Sequence, residues 1–175
     1  MKMEYSNIMQ KPRIEKVVVN IGVGESGEKL VRAETLLQKL TNRKPVRTIS
    51  KHKIPTWKLK KGEPIGCKVT LRGKEAENFL IECLKAVDNK IKASSFDEEG
   101  NLSFGIGEYI DFPSMKYDPD IGIFGMDISV TMERPGYRIK RRRIKRKRIP
   151  RKIRITRDES IRFMKEKFGV DIINE

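Results

Sequence analysis

The sequence predicts an α+β fold: a mainly antiparallel sheet with helices packed on one face, plus a basic extension and a C-terminal helix. Three observations carry that expectation. Residues 13–21, 65–72 and 126–134 are rich in β-branched side chains or alternate apolar with polar, as strands with one buried face do. Residues 74–91 repeat apolar side chains at intervals of three and four, the stripe of a helix laid on such a sheet. Residues 134–154 hold 13 Lys or Arg and no acid, so they have almost nothing to bury and are expected to order only beside a polyanion.

In chain order, the N-terminus is expected to be irregular or briefly helical. RIEKVVVNI then forms the first strand and runs into GVGESG, which fits G-x-G-x-x-G at Gly22, Gly24 and Gly27. A helix follows, with Leu30, Ala33, Leu37 and Leu40 on one side. Strand, glycine turn and helix is also the setting of a dinucleotide site. The acidic residue that would hold a ribose about 20 positions further on is missing, and NRKPVRTISKHK stands there instead. The glycines therefore read as a tight turn that starts a helix, and no catalytic residue, cofactor or metal is assigned.

Residues 43–61 form a second basic block, with eight Lys or Arg, His52 and no acid. Prolines, hydroxyls and Trp57 are interleaved with the cations. Lys, Arg and hydroxyl groups suit phosphate oxygens, so Arg43, Lys44, Arg47, Thr48, Lys51, His52, Lys53, Lys58 and Lys60 are candidate nucleic-acid contacts. Trp57 either stacks on an unpaired base or lids the core. The strand at 65–72 turns Cys67, Val69 and Leu71 inward and Lys68, Thr70 and Arg72 outward, which adds Lys68 and Thr70 to the candidates. Cys67 and Cys83 read as reduced core thiols, and with one histidine they are too few for a structural zinc site.

The helix at 74–91 is expected to bury Ala76, Phe79, Leu80, Cys83, Leu84, Val87 and Ile91. Residues 102–112 give one or two short strands around Gly105 and Gly107. Residues 113–125 form a long loop with exposed-looking Met115, Tyr117, Ile123 and Phe124; loops of this length inside a domain are usually functional or disordered, and the apolar residues argue against disorder. Asp118 and Asp120 do not match a calcium loop. The coarse order is β-α-β-β-α-β-β, then the basic run, then a helix opened by the capping box at Thr156 and Glu159 and closed by Gly169. Residues 1–134 are thus expected to be an α+β nucleic-acid-binding domain, 135–155 a basic extension and 156–175 a C-terminal helix.

The chain carries 39 basic and 24 acidic residues, and without its two basic stretches 18 cations face 24 acids. Positive charge is segregated and not merely abundant, the footprint of nucleic-acid binding. RNA and DNA both fit at this level, and the basic run alone also fits a localisation signal. No apolar stretch approaches the ~20 residues needed to span a bilayer. The isoleucines of the basic run are too sparse for a membrane-surface helix. No membrane partner and a cytoplasmic location are expected.

KVVVNIGVGE, EPIGCKVTLRG, SSFDEEGNLSFGI, YDPDIGIFGMDISVTMERPGYR and the Arg/Lys run occur in that order across nearly the whole chain. Together they resemble the 5S-rRNA-binding ribosomal protein L-five family of the large subunit, in its archaeal and eukaryotic form. The resemblance implies a non-enzymatic component that helps anchor 5S rRNA in the central protuberance, with residues 1–134 as an RNA-binding domain. It implies that Asn20, the basic segment after the first helix and Thr70 carry the 5S surface, with Arg43 standing in NRKP where many relatives have GQKP. It implies that the loop at 113–125, through Met115, Lys116, Tyr117, Ile121, Ile123 and Phe124, approaches tRNA in the peptidyl site. Large-subunit rRNA, other large-subunit proteins and the small-subunit head are further implied partners. The expected rRNA contacts of the extension are Arg138, Lys140, Arg141, Arg142, Arg143, Lys145, Arg146, Lys147 and Arg148.

Overall fold

The computed structural model describes residues 7–173, so the expected irregular stretch before Asn7 lies outside the described residues. Its strands and α-helices follow in the order β1 (Arg13–Gly22), α1 (Glu28–Thr41), β2 (Val46–Ile49), β3 (Pro64–Leu71), α2 (Lys74–Ala86), β4 (Lys90–Lys92), β5 (Leu102–Ile106), β6 (Met126–Glu133), α3 (Arg157–Phe168) and β7 (Asp171–Ile173). Five strands form one antiparallel sheet in the order β2-β3-β1-β6-β5. The two extra strands, β4 and β7, pair in parallel as a separate ribbon.

Alternation sets the two faces of the sheet. Val17, Val19 and Ile21 of β1, Cys67, Val69 and Leu71 of β3, and Ile128, Val130 and Met132 of β6 are buried beneath the helices. Helix α1 covers them with Leu30, Ala33, Leu36 and Leu37, and α2 with Ala76, Phe79, Leu80, Cys83 and Leu84. Burial pushes the Cys67 thiol up to about 11 and raises that of Cys83 further, so both stay protonated inside the core.

Helix α2 ends five residues earlier than its apolar repeat predicts. Asp88 and Asn89 both take left-handed backbone (φ 52° and 57°), and the Asn89 N–H closes back on the Leu84 carbonyl at 2.8 Å. The chain then leaves in extended form, so Ile91 reaches the core from β4 and not from the helix. Residues 102–112 give one strand, β5, followed by a single 3-10 turn at Tyr109–Asp111.

Helix α3 starts as the capping box requires, with the Glu159 N–H donating to Thr156 Oγ1, and stops at Gly169 in left-handed backbone. It fills 157–168 only, because β7 takes the residues after Gly169. Ile155, Phe163, Met164 and Val170 enter the same core as the sheet. Buried Ser160 donates from Oγ to the Gly100 carbonyl at 2.7 Å, which ties α3 to the turn before β5. The boundary at residue 134 is therefore one of composition, and the core crosses it.

The basic run is ordered by the protein itself, against the expectation that it needs a polyanion. Tyr137 is buried and donates its hydroxyl to the Ile153 carbonyl at 2.9 Å, tying the start of the run to its end. Arg134 pairs with Glu159 of α3 at 2.5 Å, and Arg154 with Glu99 at 2.5 Å. Glu159 and Glu99 lie 25 and 55 positions from the arginines they hold, a pairing that composition cannot show.

Candidate nucleic-acid interface

The face of the sheet opposite the helices is open, and strand register brings the predicted residues together there. One row across the strands reads Val46, Lys68, Asn20, Asp127, Gly105. The next reads Thr70, Val18, Ser129, Ser103, in which the two serine hydroxyls lie 3.2 Å apart. Thr48 stands opposite Gly66 on the same face. Lys68 thus sits between Asn20 and Val46, with Thr70 two residues along its own strand. A groove of about 610 Å³ at the β2 side is lined by Arg43, Lys44, Val46, Lys68, Thr70, Arg72 and Glu75. Cations crowd the β2–β3 half of the face, while Asp127 and hydroxyls occupy the β6–β5 half. A polyanion is therefore drawn to one side.

Gly66 makes this packing possible. A Cβ there would lie 2.7 Å from the Ile21 carbonyl oxygen and 2.9 Å from Thr48 Oγ1. A glycine here lets β3 lie this close to the β1 backbone with the Thr48 hydroxyl packed beside it.

Two predicted contacts prove to be partly engaged. Arg47 alternates to the helix side of β2 and pairs with Glu34 of α1 at 2.5 Å, which lowers the Glu34 carboxyl below its usual range. Arg43 forms a bidentate pair with Glu75 at the head of α2 and lowers that carboxyl in the same way. Arg43 still lines the open groove, whereas Arg47 faces away from it.

Between β2 and β3 the chain makes a hairpin. Ser50 and Glu63 pair near its base (2.8 Å), Ile54 and Leu59 pair further out (3.0 and 3.1 Å), and a 3-10 turn at Pro55–Trp57 caps it. Leu59 is its buried anchor. The Glu63 carboxylate accepts from the Lys60 N–H and from Ser26 Oγ, bonds that lower its pKa. Lys51, His52, Lys53, Lys58 and Lys60 are all exposed on it. Trp57 is 67% exposed at the tip, so it does not lid the core.

The loop at 113–125 is built differently. Ile121 is 4% exposed and belongs to the core, and Met115 and Phe124 pack against it, so only Tyr117 and Ile123 stand out as the sequence suggested. Asp118 pairs with Lys39 at 2.8 Å, a contact that lowers its carboxyl pKa, and its N–H donates to Tyr109 Oη at 2.9 Å. Within residues 113–125 Lys116 is the single cation, against Asp118 and Asp120.

Gly24 (φ 80°) and Gly27 (φ 123°) form the turn into α1, with Gly27 as its N-cap. The N–H groups of Val23 and Gly24 donate to the Ile65 carbonyl at 3.1 and 2.9 Å, so β3 occupies donors that a pyrophosphate would need. Among the described residues no group of three His, Cys, Asp or Glu is arranged to hold a metal, and no helix is long and apolar enough to cross a membrane.

A family model described as Ribosomal protein L5 matches residues 7–60, and a second, for the C-terminus of the same ribosomal family, matches residues 64–163. The chain belongs to the ribosomal protein L5 family. It is 57% identical over 166 residues to the large ribosomal subunit protein uL5 of Methanosphaera stadtmanae, covering 95% of this chain and 99% of that one. It is 55% identical to uL5 of Sulfurisphaera tokodaii over 168 residues, covering 95% of each chain. With uL5 of Methanococcoides burtonii it shares 52% identity over 167 residues, 95% of this chain and 99% of that one. L5 membership of this archaeal type makes the chain an RNA-binding structural component of the large subunit of the cytoplasmic ribosome, at work in translation. The family's role is structural and not enzymatic.

Set on the L5 fold, sequence reasoning missed Val18, Val46, Ser103 and Ser129 of the open face. The alternation of β1, β2, β5 and β6 held that signal: Val18 is in phase with Asn20, Ser129 and Ser103 fall in register with Val18, and Val46 with Lys68. No sequence signal marks Glu15 and Glu133. Their side chains are each only 6% exposed, and they hold Arg13, Arg72 and Arg141 at the end of the same face.

Proposed function

We propose that this chain holds 5S rRNA on the open face of its sheet and on its basic extension, and so helps anchor that RNA in the central protuberance of the large subunit. The observation that carries the reading is the cluster of Asn20, Thr48, Lys68 and Thr70, with Arg43 and Lys44 at its rim. Lysines and arginines neutralise phosphates there, while the amide and hydroxyls take up shape-specific contacts to ribose and phosphate. Contacts to large-subunit rRNA and to neighbouring proteins fall to the remaining surface. In this reading residues 1–134 supply the sheet platform and 135–155 a second RNA-binding limb.

The geometry favours the hairpin between β2 and β3, more than the loop at 113–125, as the element that meets peptidyl-site tRNA. The hairpin projects five exposed basic side chains (Lys51, His52, Lys53, Lys58 and Lys60) and a ring able to stack on a base or ribose. The loop is held to the core and carries more acid than base, which suits a protein surface such as the small-subunit head.

Titration against 5S rRNA over a range of salt tests the main reading. With about six phosphates neutralised, the log–log slope is expected near −4 to −5, using roughly 0.7–0.9 per phosphate. Lys68→Glu is expected to weaken 5S rRNA far more than an unrelated structured RNA. A slope near zero, or equal loss on both RNAs, would refute it. For the tRNA contact, Trp57→Ala should speed tRNA dissociation from reconstituted ribosomes, and Tyr117→Ala should leave it unchanged. The reverse order would return the contact to the loop.

A further inference from the structure

The extension leaves β6 and doubles back over one end of the open face, where Glu15 and Glu133 present two nearly buried carboxylates. Arg13 approaches Glu133 at 2.7 Å and Arg72 approaches Glu15 at 3.5 Å, both from the sheet. The third guanidinium comes from the extension. Arg141 places Nη2 2.6 Å from Glu133 and Nη1 against Glu15, so both terminal nitrogens are taken. Around it the backbone closes on itself. The N–H groups of Arg141 and Arg142 donate to the Arg138 carbonyl at 2.9 Å, Arg142 Nε donates to the Lys145 carbonyl at 2.8 Å, and the Lys147 N–H donates to Ile139. Among the described residues Arg138, Arg143, Lys145, Arg146, Lys147 and Arg148 have no carboxylate partner.

We infer that Arg141 is a positioning residue: clamped on Glu15 and Glu133, it pre-shapes the extension into an arch that offers the neighbouring free cations to an RNA backbone. This rests on the proposed RNA-binding role of the extension and deepens it. A flexible chain of like charges must lose conformational freedom when it binds, and an arch already formed in the free protein has lost most of it beforehand. Bidentate contact to carboxylates nearly out of water gives the clamp a fixed geometry that a lone surface ion pair lacks. Arg141 thus leaves the roll of phosphate contacts expected from the sequence and acts through the others.

Three variants of the full chain, titrated against 5S rRNA at several salt concentrations, separate the roles. Arg143→Gln removes a phosphate contact and should lower the salt slope by about 0.7–0.9. Arg141→Gln and Glu133→Gln should each weaken binding about tenfold with the slope unchanged. In RNA-free protein, trypsin should also cut residues 142–148 faster in those two variants. Glu133→Gln is decisive because it removes no cation: charge alone would make that variant bind a polyanion more tightly. Wild-type or tighter binding by Glu133→Gln overturns the inference, as does a slope loss in Arg141→Gln equal to that of Arg143→Gln. Thermal unfolding of each variant verifies that the sheet persists, and Arg141→Lys, which keeps the charge but not the fork, should fall between wild type and Arg141→Gln. If Arg143→Gln also leaves both slope and affinity untouched, the extension does not meet RNA, and the inference falls together with the reading beneath it.

Discussion

Gly66 fixes the spacing on which the RNA-facing surface depends. Its missing Cβ leaves room for Thr48 Oγ1 and for the Ile21 carbonyl of the next strand. Gly66→Ala forces two contacts below 3 Å, one with the β1 backbone at Ile21 and one with the Thr48 hydroxyl, so β3 must shift against β1 while the Thr48 side chain turns aside. The expected cost is on the order of 1–3 kcal/mol, measured by chemical denaturation. An unchanged midpoint would mean that the close approach of β3 to β1 at Gly66 does not constrain the sheet. Trp57 shows the opposite residue-level logic. A ring left 67% exposed at a hairpin tip contributes little to the core and keeps its area for a partner.

The hairpin and the loop at 113–125 are both long connections, and they differ in what holds them. The hairpin is held at Leu59, Ser50 and Glu63 and leaves its tip free. The loop is held along its length by Met115, Ile121 and Phe124 against the core and by Asp118 against Lys39 and Tyr109. Ile121→Ala should therefore cost about 2–4 kcal/mol, the range for emptying a buried aliphatic site. Tyr117→Ala and Ile123→Ala should stay within about 0.5 kcal/mol of wild type, as exposed positions do. Thermal or urea unfolding of the three variants distinguishes them. Equal small effects would show that the loop is not part of the core.

For the whole molecule, the continuous core decides how much of the chain must be present to fold. Ile155, Phe163, Met164 and Val170 all come after the basic run, yet pack into the cluster beneath the sheet. Burying a large apolar side chain contributes about 1.5–3 kcal/mol, while a domain's total stability is about 5–15 kcal/mol. A chain cut after Arg134 is therefore expected to lose cooperative unfolding and to bind an apolar dye. Near-ultraviolet dichroism and calorimetry make the measurement, since the exposed Trp57 does not report on the core. A sharp two-state transition in the truncated chain would contradict it.

What the sequence determined by itself was local. Alternation in β1, β3 and β6, the α2 stripe and the Thr156 capping box are set by backbone geometry within a few residues, and each element began where its pattern began. Segregated charge was equally legible, because it needs only counting. Where α2 stops was not legible, because Val87 and Ile91 continue the helical spacing while Asp88 and Asn89 turn the chain. The tertiary structure alone decided which cations are free. Arg47 meets Glu34, and Arg141 meets Glu15 across 126 positions of chain, through strand register and the return of the extension. An ion pair requires that two distant segments arrive within a few ångströms, and only the folded core brings them there.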